Sequence, residues 1–195
     1  MLQMQRKGER GLRVRRNKTI YALTMTAAVV AAMCVLSPWA VPLGPVPMSL
    51  GTLLIYLCAW MLSPGRAAAA AAVYVLIGAA GLPVFSGFLG GLGHLAGPTG
   101  GYIVGYIPLA FLCSVFANRF VLERKMCAVG MVLGTGVLYA VGTAWFCIQT
   151  GTPIAGGLAV CVLPFLPGDF IKMLGALILG PVLRRRLERA GLLYK

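Results

Sequence analysis

Charge is missing from three long stretches of this chain: no Asp, Glu, Lys or Arg lies between Lys18 and Arg66, between Arg66 and Arg119, or between Lys125 and Asp169. Each stretch is long enough for one or two crossings of a bilayer, because a spanning helix needs about 17 to 25 apolar residues. A soluble domain carries roughly 25% charged residues, since its surface has to face water. Here the charged share is 11% and the hydrophobic share 59%, with a mean hydropathy of +0.89. The chain reads as an all-α integral membrane protein.

Helix breakers divide the apolar runs into six predicted transmembrane helices. The first covers Ile20 to Leu36 and ends at Pro38. This run is longer than a signal-peptide core and more spans follow it, so it reads as an uncleaved helix. Pro38-Trp-Ala-Val-Pro-Leu-Gly-Pro-Val-Pro47 cannot be helical, because its prolines remove donors and clash with the preceding turn. A second helix fits Met48 to Leu62, stopped by Ser63-Pro64-Gly65, and an alanine-rich third fits Ala67 to Gly81. Leu82 to Gly100 is uncharged but rich in glycine, with Pro83 and Pro98. Helices four to six fit Gly101 to Ala117, Met126 to Ile148 and Gly168 to Leu183.

The net charge of +13 does not indicate nucleic-acid binding, because the basic residues sit at segment ends. Seven precede the first helix (Arg6 to Lys18), Arg66 lies between the second and third, and Arg119, Arg124 and Lys125 lie between the fourth and fifth. Arg184, Arg185, Arg186, Arg189 and Lys195 follow the sixth. With both termini cytoplasmic, 16 of the 17 basic residues fall on one side, as the positive-inside bias requires. This divides the chain into a basic cytoplasmic segment (1–18), a six-helix membrane domain (19–187) and a cytoplasmic tail (188–195). Attraction to anionic lipid head groups of the bilayer is expected at the basic ends.

Lys172 is the one base outside this partition, and Asp169 is the one acid away from the cytoplasmic ends. Three residues apart on a helix, they share a face. Ionisable groups at membrane depth are costly and mark ligand or ion pathways. Near the outer mouth of the bundle the pair forms either a polar ligand clamp or a structural ion pair. The two uncharged outer loops either fold inward as a lid or lie flat as ordinary apolar loops. Irregular backbone survives at membrane depth only when buried in protein or lining a cavity.

No catalytic site is indicated: the chain has no P-loop string, no HExxH and no nucleophile with a base beside it. His94 reads as a satisfied turn residue. The six cysteines lack CxxC pairing and lie in apolar runs, which suits small buried hydrophobes rather than metal ligands. No cofactor is expected. Ala27 with Ala31, and Ala28 with Ala32, give the first helix a small-residue face of the kind that lets helices approach closely in lipid. Gly101/Gly105 and Gly130/Gly134 read as internal packing contacts.

Gly81-Leu-Pro-Val-Phe-Ser-Gly-Phe88, Gly90-Gly-Leu-Gly93, Gly97-Pro-Thr-Gly-Gly-Tyr102 and Pro164-Phe-Leu-Pro-Gly-Asp-Phe-Ile-Lys172 together closely resemble the BioY family. These are the biotin-specific S components of energy-coupling-factor (ECF) transporters, and the likeness runs from about residue 20 to residue 187. The resemblance implies an S-component fold with membrane-dipping loops, in the plasma membrane of a prokaryote. It implies biotin held near the outer face, with Asp169 and Lys172 contacting it. Phe85, Ser86, Tyr102 and Trp39 are further candidates for the walls of the site. It also implies that the Ala27/Ala31 face docks a transmembrane coupling subunit, with two ATPase subunits energising uptake. Relatives commonly carry glutamine where this chain has Gly51, and an asparagine near Ser86-Gly87, so some ligand contacts are supplied differently here.

Overall fold

The computed structural model describes residues 2–42, 46–121 and 123–191, with side chains from Thr19 onward except Pro42. The side chains of Arg6 to Lys18, the loop residues 43–45 and Lys195 lie outside the described residues. The described elements are α1 (Leu2–Leu36), β1 (Ala40–Pro42), β2 (Pro47–Ser49), α2 (Gly51–Met61), α3 (Pro64–Ala79) and α4 (Leu92–Leu95), then α5 (Gly100–Arg119), α6 (Arg124–Thr150), α7 (Ile154–Cys161) and α8 (Leu166–Arg189).

Among the described residues, apolar helices cover each of the six expected stretches, but only four are long enough to cross a bilayer. The Thr19–Leu36 part of α1, together with α5, α6 and α8, is long and apolar enough to cross a bilayer. With 11 and 16 residues, α2 and α3 reach only about 16 and 24 Å at 1.5 Å per residue. That falls short of a hydrocarbon core of roughly 30 Å. Helix α2 starts later than Met48 because Pro47–Ser49 pairs antiparallel with Ala40–Pro42, in the register Ala40↔Ser49. A hairpin satisfies amides that the prolines bar from a helix. The apolar stretch after Pro153, outside the six predicted helices, folds as α7 against α6.

Helix α5 is central and packs on α2, α3 and α6. Small residues set the spacing. Ala67, Ala70 and Ala71 of α3 are fully buried, and Gly130 and Gly134 of α6 face Phe116 and Leu109 of α5. Gly101 and Gly105 in turn receive Trp145 and Leu138. The glycine pairs are therefore packing positions, since a methyl group at any of them would overlap its neighbour.

The two uncharged loops interlock at one end of the bundle. Gly87 N–H donates to the Pro38 carbonyl at 2.9 Å, and Trp39 meets Phe88 edge-on, with centroids 5.8 Å apart. Phe88 has φ +60°, a left-handed conformation that is uncommon for a residue with a side chain. Phe85 turns inward to lie on Gly78 of α3, where any side chain would collide with its ring.

Arg66, Arg119, Arg124, Lys125 and the α8 arginines gather at the other end, by the α2–α3 and α5–α6 turns. Arg184 is not simply one of a solvated basic tail, because it is buried. Its Nη1 donates to the carbonyls of Ala117 (3.3 Å) and Trp60 (3.5 Å) and to Asn118 Oδ1 (3.4 Å), while Nε pairs with Glu188 at 3.3 Å. It caps the carbonyl ends of α2 and α5 together. Arg184→Ala is expected to cost about 1–3 kcal/mol by uncovering these carbonyls, read as a lower unfolding midpoint in detergent. Arg186→Ala, on an exposed neighbour, should shift it little.

Candidate ligand-binding site

Asp169 sits in the first turn of α8, which opens with Leu166-Pro167. Proline suits the first positions of a helix, where its missing N–H is no loss, and the helix dipole favours a carboxylate there. One turn later, Lys172 Nζ lies 3.0 Å from Asp169 Oδ1. The ion pair is not isolated. Thr52, at the start of α2, donates to Oδ1 at 3.2 Å and accepts from Lys172 Nζ at 3.0 Å. Tyr139, in the middle of α6, donates to Oδ2 at 2.6 Å. Three helices thus meet at one carboxylate that is 4% exposed.

The position is deeper than the mouth-level site expected from the sequence. Tyr139 is eleven residues from the Thr150 end of α6, or roughly 16 Å along the axis. Helix α7 packs back along α6, so α8 begins well inside the bundle instead of at its rim.

Counting donors and acceptors shows what the cluster can still do. Oδ1 receives two hydrogen bonds and Oδ2 one, so Oδ2 retains an acceptor position. An ammonium has three N–H groups, and Lys172 uses two of them. One charged acceptor and one charged donor therefore remain side by side. That pair matches a cis-amide or urea edge, which offers an N–H beside a C=O.

A second polar cluster flanks the first. Gly51 precedes Thr52, and a Cβ there would stand 2.7 Å from Tyr106 Oη, 3.1 Å from Ser49 Oγ and 3.2 Å from Ser37 Oγ. Ser49 Oγ also lies 3.2 Å from Tyr106 Oη. Three hydroxyls therefore surround Gly51.

The other residues singled out from the sequence lie in different surroundings. Phe85 is buried against Tyr74 and stacks on His94. Burial holds the His94 imidazole below its ordinary pKa, and Thr99 Oγ1 is 3.3 Å from its Nε2. Tyr102 lies against Gly142 and bonds Thr143 at 2.9 Å. Trp39 is 62% exposed at the loop end, and Ser86 is half-buried in the Phe85–Leu89 turn. No described contact joins any of these to Asp169. On α1, Ala27, Ala28 and Ala31 are exposed and Ala32 half-buried, while Val29, Val30 and Met33 are buried on α2 and α3.

Thr52, Tyr139, Ser49 and Tyr106 escaped the sequence reading. Hydroxyl residues are common in apolar helices, so their identity carries no signal until the helices are placed around Asp169.

The chain is 36% identical over 160 residues to the biotin transporter BioY of Thermotoga maritima, covering 82% of this chain and 94% of that one. It is 31% identical over 175 residues to the biotin transporter BioY2 of Lactococcus lactis, covering 90% and 96%. Its fold matches the crystal structure of the S-component for biotin from an ECF-type ABC transporter. That match has a TM-score of 0.80 at 26% identity, over 87% of this chain and 93% of the other. The family model described as the BioY family spans residues 6–189, which takes in the Asp169–Lys172 pair, the interlocked loops and the capped arginine end alike, and the chain belongs to that family.

Proposed function

We propose that this multi-pass membrane protein is the biotin-capturing subunit of an ECF-type importer. It is a transport protein and not an enzyme. The observation that carries the reading is the residual acceptor on Asp169 Oδ2 beside the residual donor on Lys172 Nζ. The ureido ring of biotin presents N–H and C=O groups on one edge, so Oδ2 accepts from the N–H and Nζ donates to the oxygen. Charge-assisted bonds in a dry pocket discriminate strongly, because an analogue lacking the group leaves a buried charge unpaired. The hydroxyls of Ser37, Ser49 and Tyr106 beside Gly51 supply further hydrogen bonds to the ligand. Phe85, Ser86, Tyr102 and Trp39 belong to the loops and helix end that close over the ligand.

Binding alone only equilibrates biotin across the membrane, so accumulation needs an energy source. The basic end of the bundle faces the cytoplasm, and the exposed Ala27/Ala28/Ala31 face meets a transmembrane coupling subunit served by two ATPase subunits.

Equilibrium binding of biotin to the purified protein in detergent tests the assignment. The parent is expected to bind tightly, and Asp169→Asn or Lys172→Ala to bind at least tenfold more weakly, about 1.4 kcal/mol. No binding by a folded parent rules out biotin. Unchanged affinity in both variants moves the site elsewhere.

A further inference from the structure

At the arginine end, a cavity of about 130 Å³ opens between the end of α2, the start of α6 and the last turns of α8. Its walls are Trp60, Val121, Arg124, Pro181, Arg184, Arg185 and Glu188. Three guanidinium groups face one carboxylate, and that carboxylate is already paired with Arg184. The cavity is therefore cationic.

Trp60 forms part of the wall. The residue is 1% exposed, and its indole Nε1–H has no acceptor among the described residues. The ring edge carrying Nε1 lies against Gly180, where a methyl group would overlap it, next to the cavity-lining Pro181. A buried donor left unpaired costs about 1–3 kcal/mol.

We infer that this cavity is a binding site for a phosphate group, with Arg124 and Arg185 as the charged clamp. Arginine suits a tetrahedral anion, which accepts several hydrogen bonds at once. Val121 and Pro181 make part of the rim apolar, and the site lies where spanning helices end. Basic pockets between helices at that level receive lipid head groups, so an anionic phospholipid is the source that the position favours. A soluble phosphate compound is the other. The inference does not depend on what the Asp169 cluster binds.

Full-length protein in a neutral detergent can be titrated with dioctanoyl phosphatidylglycerol, dioctanoyl phosphatidylcholine and inorganic phosphate, with bound adducts followed by native mass spectrometry. Saturable binding of phosphatidylglycerol, at least tenfold tighter than phosphatidylcholine, is expected. The Arg124→Gln/Arg185→Gln variant changes two exposed residues and should fold normally while losing at least tenfold in affinity. Inorganic phosphate binding as tightly as phosphatidylglycerol supports the phosphate site and names a soluble source. Absence of saturable binding by either anion overturns the inference. So does phosphatidylglycerol affinity that is unchanged in the double arginine variant. If that variant instead loses assembly with a partner subunit, the cavity receives an acidic protein segment.

Discussion

Asp169→Asn is expected to cost about 3–5 kcal/mol of stability, the range for breaking a buried ion pair by removing one partner. The reason is local. Thr52 and Tyr139 both donate to this carboxylate, and Lys172 sits 3.0 Å from it with 11% of its side chain exposed. An asparagine amide keeps one acceptor oxygen but turns a donor toward groups that are themselves donors, and Lys172 is left as an uncompensated ammonium. Removing the charge as well should undo much of the damage. Asp169→Asn/Lys172→Met, with no stranded ammonium, should recover at least half the loss, because replacing both partners of a buried pair is often close to neutral. Chemical unfolding in detergent of the parent, both single variants and the double variant closes this cycle. If the double variant is as unstable as the two single losses added together, the pair is not coupled and the site has been misread. The same cycle separates folding from recognition: a double variant that is stable but does not bind biotin shows that the charges serve the ligand.

The depth of this site explains which parts of it the sequence discloses. A carboxylate and an ammonium inside an otherwise uncharged run stand out because membrane insertion penalises each of them. Thr52 and Tyr139 carry no such penalty, and they come from segments 117 and 30 residues away from Asp169. Only the packing of α2 and α6 on α8 identifies them. The same logic separates the arginines. Arg184 and Arg185 are adjacent and chemically identical, yet one is buried as a cap on two helix ends and the other is exposed. The carbonyls of Trp60 and Ala117 that distinguish them lie 124 and 67 residues away from Arg184. Helix boundaries follow a comparable rule. Proline and glycine announce where helices stop, whereas the β1–β2 hairpin and α7 arise from pairing and packing partners remote in sequence. For the same reason charge gaps predict apolar segments well, but do not reveal that α2 is only 11 residues long.

The largest functional effect is expected far from the ligand, on α1. Val29, Val30 and Met33 bury one side of this helix against α2 and α3, whereas Ala27, Ala28 and Ala31 turn away from the chain's own core. Lipid makes no demand for alanine at such positions, since a leucine side chain is at least as well solvated by acyl chains. A small-residue face has value only where another helix must come close, because association in lipid relies on packing and not on the hydrophobic effect. Ala27→Leu/Ala31→Leu adds bulk on this outward face and displaces nothing inside the bundle. Biotin affinity and the unfolding midpoint of the isolated protein should therefore stay as in the parent. Uptake of labelled biotin by cells that also express the coupling and ATPase subunits should fall at least tenfold, and the variant should no longer co-purify with the coupling subunit. Normal uptake would mean that α1 does not form the interface, and the exposed apolar face of α8, with Phe170, Ile171, Leu174 and Ile178, would then be the surface to substitute. Loss of uptake with loss of biotin affinity would place the effect within the fold instead. Only the combination of intact binding and abolished uptake assigns the alanine face to docking.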